Sequence, residues 1–438
     1  METRFGTKVN MIFIKVIVVG ILALIMIIPI SMIESLIRER EENQKNVQDE
    51  ISEKWGGSQH LVGPVLVLPY EVEATSVDSK PYIDKIYVLP NDFQTIGEIA
   101  AEERSRTLFK TLVYQSDLKV NGKFSLPDYS GLNINPEKIH WQDAYVLIGV
   151  TFMQGIKNKI EFIMNGKAQK VLPGVKPNSM ISSGLTINTP LDITIDNYDF
   201  NFDITLNGSE GFYINPIGKT NRIQLKSDWN TVSFDGNFLP TERTIDKNGF
   251  DARWDVFDYN RNYVQSWIGD NSMLQPSSLG VDLKFPIDKY RMTMRSVKYA
   301  IIFIALTFVV FFLVELLSKK RIHPVQYLLV SSALVLFYTL LLAISEHLSF
   351  GLSYLIAAFA TTTLITAYAT TMFKNTKQTA MMGIFITALY IYLYIILQQE
   401  NMALLFGAIG LFVALAVVMF VLRKVDWYKD AADGKNNK

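Results

Sequence analysis

Apolar residues are concentrated near the two ends of this chain, in runs long enough to cross a lipid bilayer. A membrane-spanning helix needs about 20 mostly apolar residues. Six runs reach that length, whereas residues 34–298 contain none. The runs cover residues 11–33, 299–317, 325–344, 350–373, 380–397 and 402–422. The pattern predicts an α-helical membrane protein with six transmembrane helices, one N-terminal and five C-terminal.

The first apolar run has two interpretations, a cleaved signal peptide or a retained membrane anchor. Its apolar part is longer than the usual 7 to 15 residues of a signal peptide, and no A-x-A-like cleavage site follows it. Charged residues follow directly, in Glu34–Lys54. We interpret the run as an uncleaved anchor and residues 34–54 as a charged helical stalk that continues it.

Lysine and arginine in the short loops predict the orientation, because such residues are retained on the cytoplasmic side. They precede the first run and follow the second, fourth and sixth, and the loops after the third and fifth have none. They are Arg4, Lys8, Lys319, Lys320, Arg321, Lys374, Lys377, Arg423, Lys424 and Lys429. This distribution predicts cytoplasmic termini and an exported segment 34–298. Lys15 lies within the first run, and we expect its side chain to extend outward to water.

Residues 55–297 show short strand-like runs separated by turn residues, which predicts a β-rich domain. The clearest alternation is LDITIDNYDFNFDITLNG, in which Ile193 and Ile195, and after a break at Asn197 also Phe200, Phe202, Ile204 and Leu206, mark one face. Strand spacing of this kind predicts an antiparallel sandwich.

Local features of this domain carry further predictions. Asn121-Gly122, Asn165-Gly166 and Asn207-Gly208 are predicted hairpin turns. The segment LVGPVLVLPYEV (61–72) contains two prolines, which favours a strand pair or a bent edge strand. Residues 96–112 fit either a helix or a long strand.

Composition excludes several classes of protein. The net charge is zero, with 42 basic and 42 acidic residues, so nothing predicts binding to nucleic acid. The absence of cysteine excludes disulfides, iron–sulfur clusters and thiolate zinc sites. The sequence contains no G-x-S-x-G, H-E-x-x-H, Walker or G-x-G-x-x-G motif. We therefore predict no catalytic residue, cofactor or metal, and favour a protein that is not an enzyme.

Four polar residues in the C-terminal half are candidate functional residues: Glu315, His323, Glu346 and His347. A carboxylate within a span is costly and often functional, but Glu315 lies four residues before Lys319, so an ion pair at the interface is the alternative. His323 precedes a proline and fits a helix start.

Glu346 and His347 end the third run, where a polar cap facing water is the simple interpretation. The alternative is a contact with the exported domain or with Tyr390, Tyr392 or Tyr394, which are otherwise expected at the interface. The third run also carries a polar seam that recurs every seven residues, formed by Ser331/Ser332, Tyr338/Thr339 and Ser345/Glu346. We expect this seam to hydrogen-bond to neighbouring helices through residues such as Thr361.

Aromatic residues cluster between residues 229 and 259: Trp229, Phe234, Phe238, Trp254, Phe257 and Tyr259. A binding groove for glycan or peptide and a hydrophobic core with solvated charges both fit this pattern, and we favour the core.

Three stretches and the overall layout resemble the CreD family of bacterial inner-membrane proteins. The stretches are LVGPVLVLPY (61–70), FDGNFLPTERTIDKNGFDARW (234–254) and KYAIIFIALTFVVFFLVELL…RIHPVQYLLVSSALVLFYTLLLAISEH (298–347). The resemblance implies an N-terminal anchor, a large periplasmic domain, a C-terminal membrane bundle and a role in cell-envelope integrity. It implies no catalytic residues.

These observations predict five regions: 1–33, 34–54, 55–297, 298–424 and 425–438. We expect a multi-pass inner-membrane protein whose partners are the lipid bilayer and an unknown envelope protein or cell-wall component. A transporter or channel using the C-terminal bundle, and a membrane enzyme acting on lipid or cell-wall precursors, are the alternatives.

Overall fold

The computed structural model describes residues 9–73, 81–106, 109–176, 181–269, 277–284, 289–318, 322–399 and 402–423. These residues form eight α-helices and sixteen strands. The first two helices are α1 (Val9–Ile25) and α2 (Ile27–Trp55). The strands are β1 (Gln59–Val72), β2 (Tyr82–Val88), β3 (Asp92–Arg106), β4 (Phe109–Ser125), β5 (Tyr145–Val150), β6 (Phe162–Met164), β7 (Lys167–Pro173), β8 (Gly184–Asn188), β9 (Asn197–Ser209), β10 (Gly211–Ile214), β11 (Thr220–Ser227), β12 (Val232–Gly236), β13 (Glu242–Asp246), β14 (Gly249–Phe257), β15 (Ser266–Ile268) and β16 (Leu279–Leu283). The remaining helices are α3 (Lys289–Lys298), α4 (Ala300–Ser318), α5 (Pro324–Ser345), α6 (Phe350–Phe373), α7 (Thr376–Gln398) and α8 (Ala403–Leu422).

The chain divides into two compact units. The helical unit comprises residues 1–43 and 287–438, and the β unit comprises residues 44–286. The β unit is therefore an insertion between the first helix of the helical unit and the rest of it. The predicted stalk is helical, because α2 continues through Trp55.

Several helices of the helical unit are long and apolar enough to span a bilayer. Among the described residues, four helices satisfy this criterion, or five if α3 and α4, which meet at an angle of 41°, count as one broken span. The described part of α8 adds a shorter apolar stretch, Leu405–Phe420.

Helix α5 is the centre of the helical unit, since it packs against α1, α3, α4 and α6. Its large side chains, including Tyr327, Phe337 and Leu341, are buried. Large apolar side chains at the periphery point away from the bundle; Phe359 and Phe412 are 72% and 74% exposed. This distribution suits a bundle whose outer surface contacts lipid, which is as apolar as these side chains.

The β unit forms one hydrogen-bonded path of strands, in the order β12-β16-β10-β1-β5-β8-β7-β6-β9-β4-β3-β11-β14-β13, with β2 pairing β1 and β15. The prediction of an entirely antiparallel arrangement is wrong at two places, because β1 pairs β10 and β3 pairs β11 in parallel. The other strand pairings among the described residues are antiparallel.

Inward-facing side chains from both halves of this path meet in one hydrophobic core. Leu66 and Val146 come from β1 and β5, and Phe93, Phe200 and Trp254 come from β3, β9 and β14. The predicted alternation is confirmed in β9, where Phe200, Phe202, Ile204 and Leu206 are buried and the intervening residues are mostly exposed. Ile193 and Ile195 lie outside the strand and are exposed, so their assignment to the same face was wrong.

Of the three Asn-Gly pairs, one forms a turn and the other two lie inside strands. Asn165-Gly166 connects β6 and β7 with both residues at positive φ, as predicted. Gly122 and Gly208 instead lie within β4 and β9, opposite Phe200 and Tyr114. A Cβ on either glycine would meet the aromatic side chain at 2.6 Å or less. Cross-strand pairing with an aromatic residue therefore explains these glycines.

Two other segments resolve open predictions. Residues 61–72 form part of the single strand β1, which pairs β2, β5 and β10 and is therefore not an edge strand. Its register with β5 shifts between Val62 and Val65, next to Pro64, which accommodates the missing amide hydrogen. Within residues 96–112, the described residues belong to strands β3 and β4 rather than to a helix.

Candidate functional site

The polar cluster around Glu315 joins three helices of the helical unit. Glu315 lies three residues before the end of α4, Lys15 lies in α1, and Tyr327 lies in the first turn of α5. Three residues of helix span about 5 Å, so the carboxylate lies just inside one end of α4. Only 9% of Glu315 is exposed, and Tyr327 is fully buried.

Both oxygens of the Glu315 carboxylate accept hydrogen bonds. The Lys15 ammonium donates to Oε1 and also donates to the backbone carbonyl of Ile322 at 2.8 Å. The Tyr327 hydroxyl donates to Oε2 at 3.1 Å. Phe308 and Phe311 lie against the Tyr327 ring, with centroid distances of 5.4 Å and 6.0 Å. These two rings form an apolar boundary beside the polar group.

This arrangement neutralises two charges that would each be costly in a membrane. A buried ion pair is tolerated when further hydrogen bonds satisfy both partners, as Tyr327 and the Ile322 carbonyl do here. Lys15 therefore contacts a carboxylate, while 21% of its side chain remains exposed. The predicted partner of Glu315, Lys319, lies outside the described residues. The arrangement fastens α1 to α4 and α5.

His323 is the N-cap of α5, as predicted from its position before Pro324. Its Nδ1 accepts a hydrogen bond from the Val325 amide at 3.3 Å, and its own amide donates to Gln326 Oε1 at 3.0 Å. The imidazole is exposed. Since these bonds cap a helix, the structure gives His323 a structural role at this end of the bundle.

Glu346 and His347 lie at the C-terminal end of α5, with Glu346 as the C-cap residue. Glu346 Oε1 lies 3.5 Å from Arg40 Nε, and the two side chains are 13% and 40% exposed. His347 is exposed. Glu346 thus pairs with Arg40 in α2, a partner that the sequence did not single out, rather than with a tyrosine of α7.

The three serines of the polar seam of α5 bond to their own helix. Ser331 and Ser332 both donate to the Leu328 carbonyl at 2.9 Å, and Ser345 donates to the Leu342 carbonyl at 2.9 Å. These intrahelical bonds satisfy the hydroxyls where a bond to a neighbouring helix was expected.

Among the tyrosines of α7, Tyr390 is buried, whereas Tyr392 and Tyr394 are half-buried. Tyr390 is buried against Phe337 and Tyr354, and the Tyr354 hydroxyl donates to the Tyr390 carbonyl at 2.6 Å. Tyr390 is therefore a packing residue between helices and does not face lipid. The contacts instead hold α5, α6 and α7 together.

The aromatic cluster of the β unit is mainly core. Trp254 is fully buried, and its indole N–H donates to the Phe238 carbonyl at 3.1 Å. Phe257 and Tyr259 are exceptions, since they stack on each other at 5.4 Å with exposures of 38% and 78%. Within the described ranges, no group of three or more His, Asp or Glu side chains could hold a metal ion.

The surface of the β unit has an open, charged depression over β3, β4, β11 and β14. Its lining includes Glu98, Asp117, Lys226, Asp228 and Asp251. Lys226 and Asp251 form an ion pair at 3.0 Å. Gln224 and Lys226 also hydrogen-bond to Asp251, and these bonds outweigh its partial burial and lower its pKa. The depression offers carboxylates and one ammonium to an extended ligand, without an enclosed pocket.

Sequence reasoning missed Lys15, Tyr327 and Arg40. One signal was available for Lys15: it lies near the predicted cytoplasmic end of its span, and Glu315 lies near the same end of another. Opposite charges at matching depth indicate a pair. Tyr327 and Arg40 had no comparable signal, because tyrosine is common near span ends and Arg40 lies in a dense run of charges.

The helices and the inserted β unit define a multi-helix membrane protein with a large β domain between its first and later helices. Comparison with known proteins identifies the family. The family model "Inner membrane protein CreD" matches residues 11–428. Inner membrane protein CreD of Escherichia coli (strain K12) is 31% identical over 417 residues, which are 92% of this chain and 91% of that protein. The chain belongs to the CreD family.

Similarity to solved structures is much weaker. An M1 zinc metallopeptidase from Deinococcus radiodurans is 9% identical with a TM-score of 0.22, over 48% of this chain and 53% of that one. A two-domain M1 zinc metallopeptidase mutant bound to L-tryptophan is 10% identical with a TM-score of 0.20, over 44% of each chain. At these scores neither structure bears on fold or activity.

Proposed function

We propose that this chain supports cell-envelope integrity by holding the β unit at the inner membrane, where its charged surface engages another envelope component. The observation that carries the proposal is the pairing of ionisable groups in the helical unit. Glu315 is bound by Lys15 and Tyr327, and Glu346 faces Arg40. Charges bound in this way hold helices together and favour an anchor over a proton-coupled transporter.

The topology proposed with this function has six spans, cytoplasmic termini and an exported β sandwich. Its support is that Lys374 and Lys377, between α6 and α7, and Arg423, at the end of α8, all follow an even number of proposed spans. The meeting of side chains from both halves of the strand path in one core supports the sandwich.

Reporter fusions test the topology. A reporter that is active only outside the cytoplasm should be active when inserted near Asn207 or fused after Asn401, and silent after Asn375 or Lys438. Activity after Lys438 would contradict the even number of spans.

The function is tested by altering the depression and measuring envelope-stress resistance in cells that depend on this chain. Replacing Asp117 and Asp228 by Lys reverses two exposed charges without touching the core. We expect resistance to fall while the protein level, checked by blot, stays normal. The matched control exchanges Lys138 and Asp143 for Gln and Asn on another part of the surface, and it should keep full resistance.

A photo-crosslinking residue at Thr244, which also lines the depression, should then trap an envelope component that it does not trap in the charge-reversed background. Full resistance of the reversed variant would contradict the proposal. Resistance lost instead on neutralising Glu315, at normal abundance and stability, would favour transport through the bundle.

A further inference from the structure

Strand β13 is an open edge of the β unit. It lies at one end of the strand path, and within the described part of the chain its only strand partner is β14. All five residues of β13 are exposed, which is true of no other described strand. An edge strand directs the N–H and C=O groups of alternate residues away from the sheet. β13 therefore offers backbone hydrogen-bonding groups to an additional strand.

Other edges of the β unit are less accessible than β13. At the opposite end of the path, β12 keeps Val232, Ser233 and Phe234 half-buried, and β15, which pairs β2, buries Trp267. Natural sheets also block their edges with proline, bulges or lysine. The sequence of β13, ERTID, contains neither proline nor lysine, and its register with β14 is continuous. None of these devices closes the edge at β13.

One face of β13 is acidic and adjoins the charged depression. Glu242 and Thr244 lie opposite Arg253 and Asp251 of β14, so they share the solvent-facing side of the sheet. Thr244 and Asp246 line the depression, and one oxygen of Asp246 accepts a backbone amide of the adjoining turn at 2.7 Å. Five carboxylates and one lysine are among the residues that line it. Basic side chains of an added strand would meet complementary charge there.

The other face of β13 borders the hydrophobic core. Arg243 and Ile245 lie opposite Ala252 and Phe250, which are both buried. Ile245 is nevertheless 48% exposed, because β13 has a neighbouring strand on one side only. An apolar side chain on an added strand would cover it. Since side chains of a strand alternate between faces, the edge suits a segment in which basic and apolar residues alternate.

A second copy of β13 does not suit this edge. In an antiparallel pair centred on Thr244, Glu242 of each copy would lie opposite Asp246 of the other copy. Like charges directly opposite each other destabilise a strand pair. The same two carboxylates attract lysine or arginine. The charges of β13 therefore oppose pairing with itself and favour a basic strand.

We propose that β13 binds an extended segment of an envelope protein by adding it to the sheet as a further strand. Backbone hydrogen bonds to β13 hold the segment in place. Its basic side chains face Glu242 and Asp246, and its alternate apolar side chains cover Ile245. This proposal rests on the proposed function, because it names the partner of the same charged surface.

Fluorescence anisotropy of labelled peptides, added to the full chain in mild detergent, tests strand addition. The probes are Lys-Val-Lys-Val-Lys, Glu-Val-Glu-Val-Glu and two forms of the basic peptide, methylated on the backbone nitrogens of either the valines or the lysines. The basic peptide should bind and the acidic peptide should not. Alternate residues of a strand direct their N–H groups to opposite sides, so one methylated form should lose binding and the other should keep it. Equal binding of the two methylated forms would overturn the proposal.

Variants of the chain test the role of the edge charges. Glu242→Lys/Thr244→Lys should bind the acidic peptide in place of the basic one. Glu242→Gln/Asp246→Asn keeps the acceptor of the turn amide, so it serves even if the lysine variant folds poorly. An exposed ion pair contributes up to about fivefold in affinity, so this neutral variant should bind the basic peptide up to about 25-fold more weakly. The matched control Glu161→Lys/Ser182→Lys makes the same change of charge at exposed positions before β6 and β8, and it should keep the native preference.

Failure of this proposal is distinguishable from failure of the proposed function. If Asp117→Lys/Asp228→Lys abolished binding of the basic peptide while both edge variants bound it normally, strand addition would be wrong and the proposed function would stand. A crosslink from Thr244 to a polysaccharide, or association of two copies through β13, would likewise overturn the peptide assignment alone. Full envelope-stress resistance of Asp117→Lys/Asp228→Lys would instead contradict the proposed function itself.

Discussion

The hydroxyl of Tyr327 donates a hydrogen bond of 3.1 Å to the same carboxylate, that of Glu315, which receives the Lys15 ammonium. One acidic side chain thereby links α1, α4 and α5. Helix α1 is distant in sequence from α4 and α5, yet all three helices depend on this one buried charge, and removing either partner of Glu315 should affect all of them.

Glu315→Gln should destabilise the helical unit by about 3–5 kcal/mol, because it leaves the Lys15 cation without its counter-charge. The double variant Lys15→Met/Glu315→Leu should recover most of the loss, since it removes both charges together. Thermal denaturation of the full chain in detergent measures the difference. A single variant as stable as the unaltered protein would show that the pair does not hold α1 to the bundle.

Tyr327→Phe should cost about 1 kcal/mol, clearly less than the loss of the carboxylate. The change removes one hydrogen bond but keeps the ring packed against Phe308 and Phe311. The same denaturation assay ranks the two variants. Tyr338→Phe, in the same helix and also buried, is the control for loss of a tyrosine hydroxyl away from a charge. If Tyr327→Phe proved as damaging as Glu315→Gln, the ordering of these interactions would be wrong.

Glu346→Gln should lower stability by no more than about 1 kcal/mol, because its partner Arg40 is 40% exposed and the pair is 3.5 Å apart. His347→Gln should have no measurable effect, since the imidazole is exposed. Envelope-stress resistance and protein level are measured for both variants. Loss of resistance at normal abundance would show that these residues do more than end a helix.

His60 makes the β unit sensitive to mild acid. Partial burial lowers the pKa of its imidazole below the ordinary 6.5, and its ring stacks on Tyr213 at 4.6 Å. The His60 imidazole therefore binds a proton more readily in the unfolded chain than in the folded one. Stability from the neutral ring is fully present above pH 6.5 and is lost as pH falls below it. Urea unfolding of residues 44–286 should give a lower free energy of unfolding at pH 5.5 than at pH 7.5. The difference between the two pH values should be smaller in the His60→Gln variant.

The end of α2 should stabilise the β unit when that unit is expressed and exported alone. Trp55 Nε1 donates to the Tyr114 carbonyl at 3.2 Å, the Ser209 hydroxyl donates to Ser52 Oγ at 2.8 Å, and Gln154 donates to the Glu53 carbonyl at 2.7 Å. Three such bonds contribute about 3 kcal/mol. Residues 44–286 should therefore resist urea better than residues 56–286, with both β-rich by circular dichroism. Equal midpoints would show that these contacts contribute nothing.

The organisation of the fold followed from periodicity. Apolar runs of span length located the helical unit, and the period of two in β9 located the buried face. Both signals are local. Pairing is not local: the parallel contact of β1 with β10 joins segments about 150 residues apart, and no residue pattern in either strand records it. This is why the antiparallel prediction failed where it did.

The Asn-Gly pairs also show that a local sequence signal does not reveal which residue lies opposite on the neighbouring strand. Asn-Gly is a turn signal because glycine and asparagine tolerate positive φ, and this held at Asn165-Gly166. At Gly122 and Gly208 the missing side chain makes room for an aromatic ring on the next strand. The two uses look identical in sequence, and only the partner strand distinguishes them. In the candidate site, likewise, Glu315 was recognised as unusual, but its partners Lys15 and Tyr327 were not.

Lys15 and Glu315 are 300 residues apart in the chain. At roughly 5–20 residues per second, a ribosome needs about 15–60 s to travel between their codons. During that interval α1 holds a lysine whose counter-charge does not yet exist, and the whole β unit is synthesised in the meantime. The first helix made is thus among the last to reach its final packing, and assembly of the helical unit is timed by synthesis of the insertion.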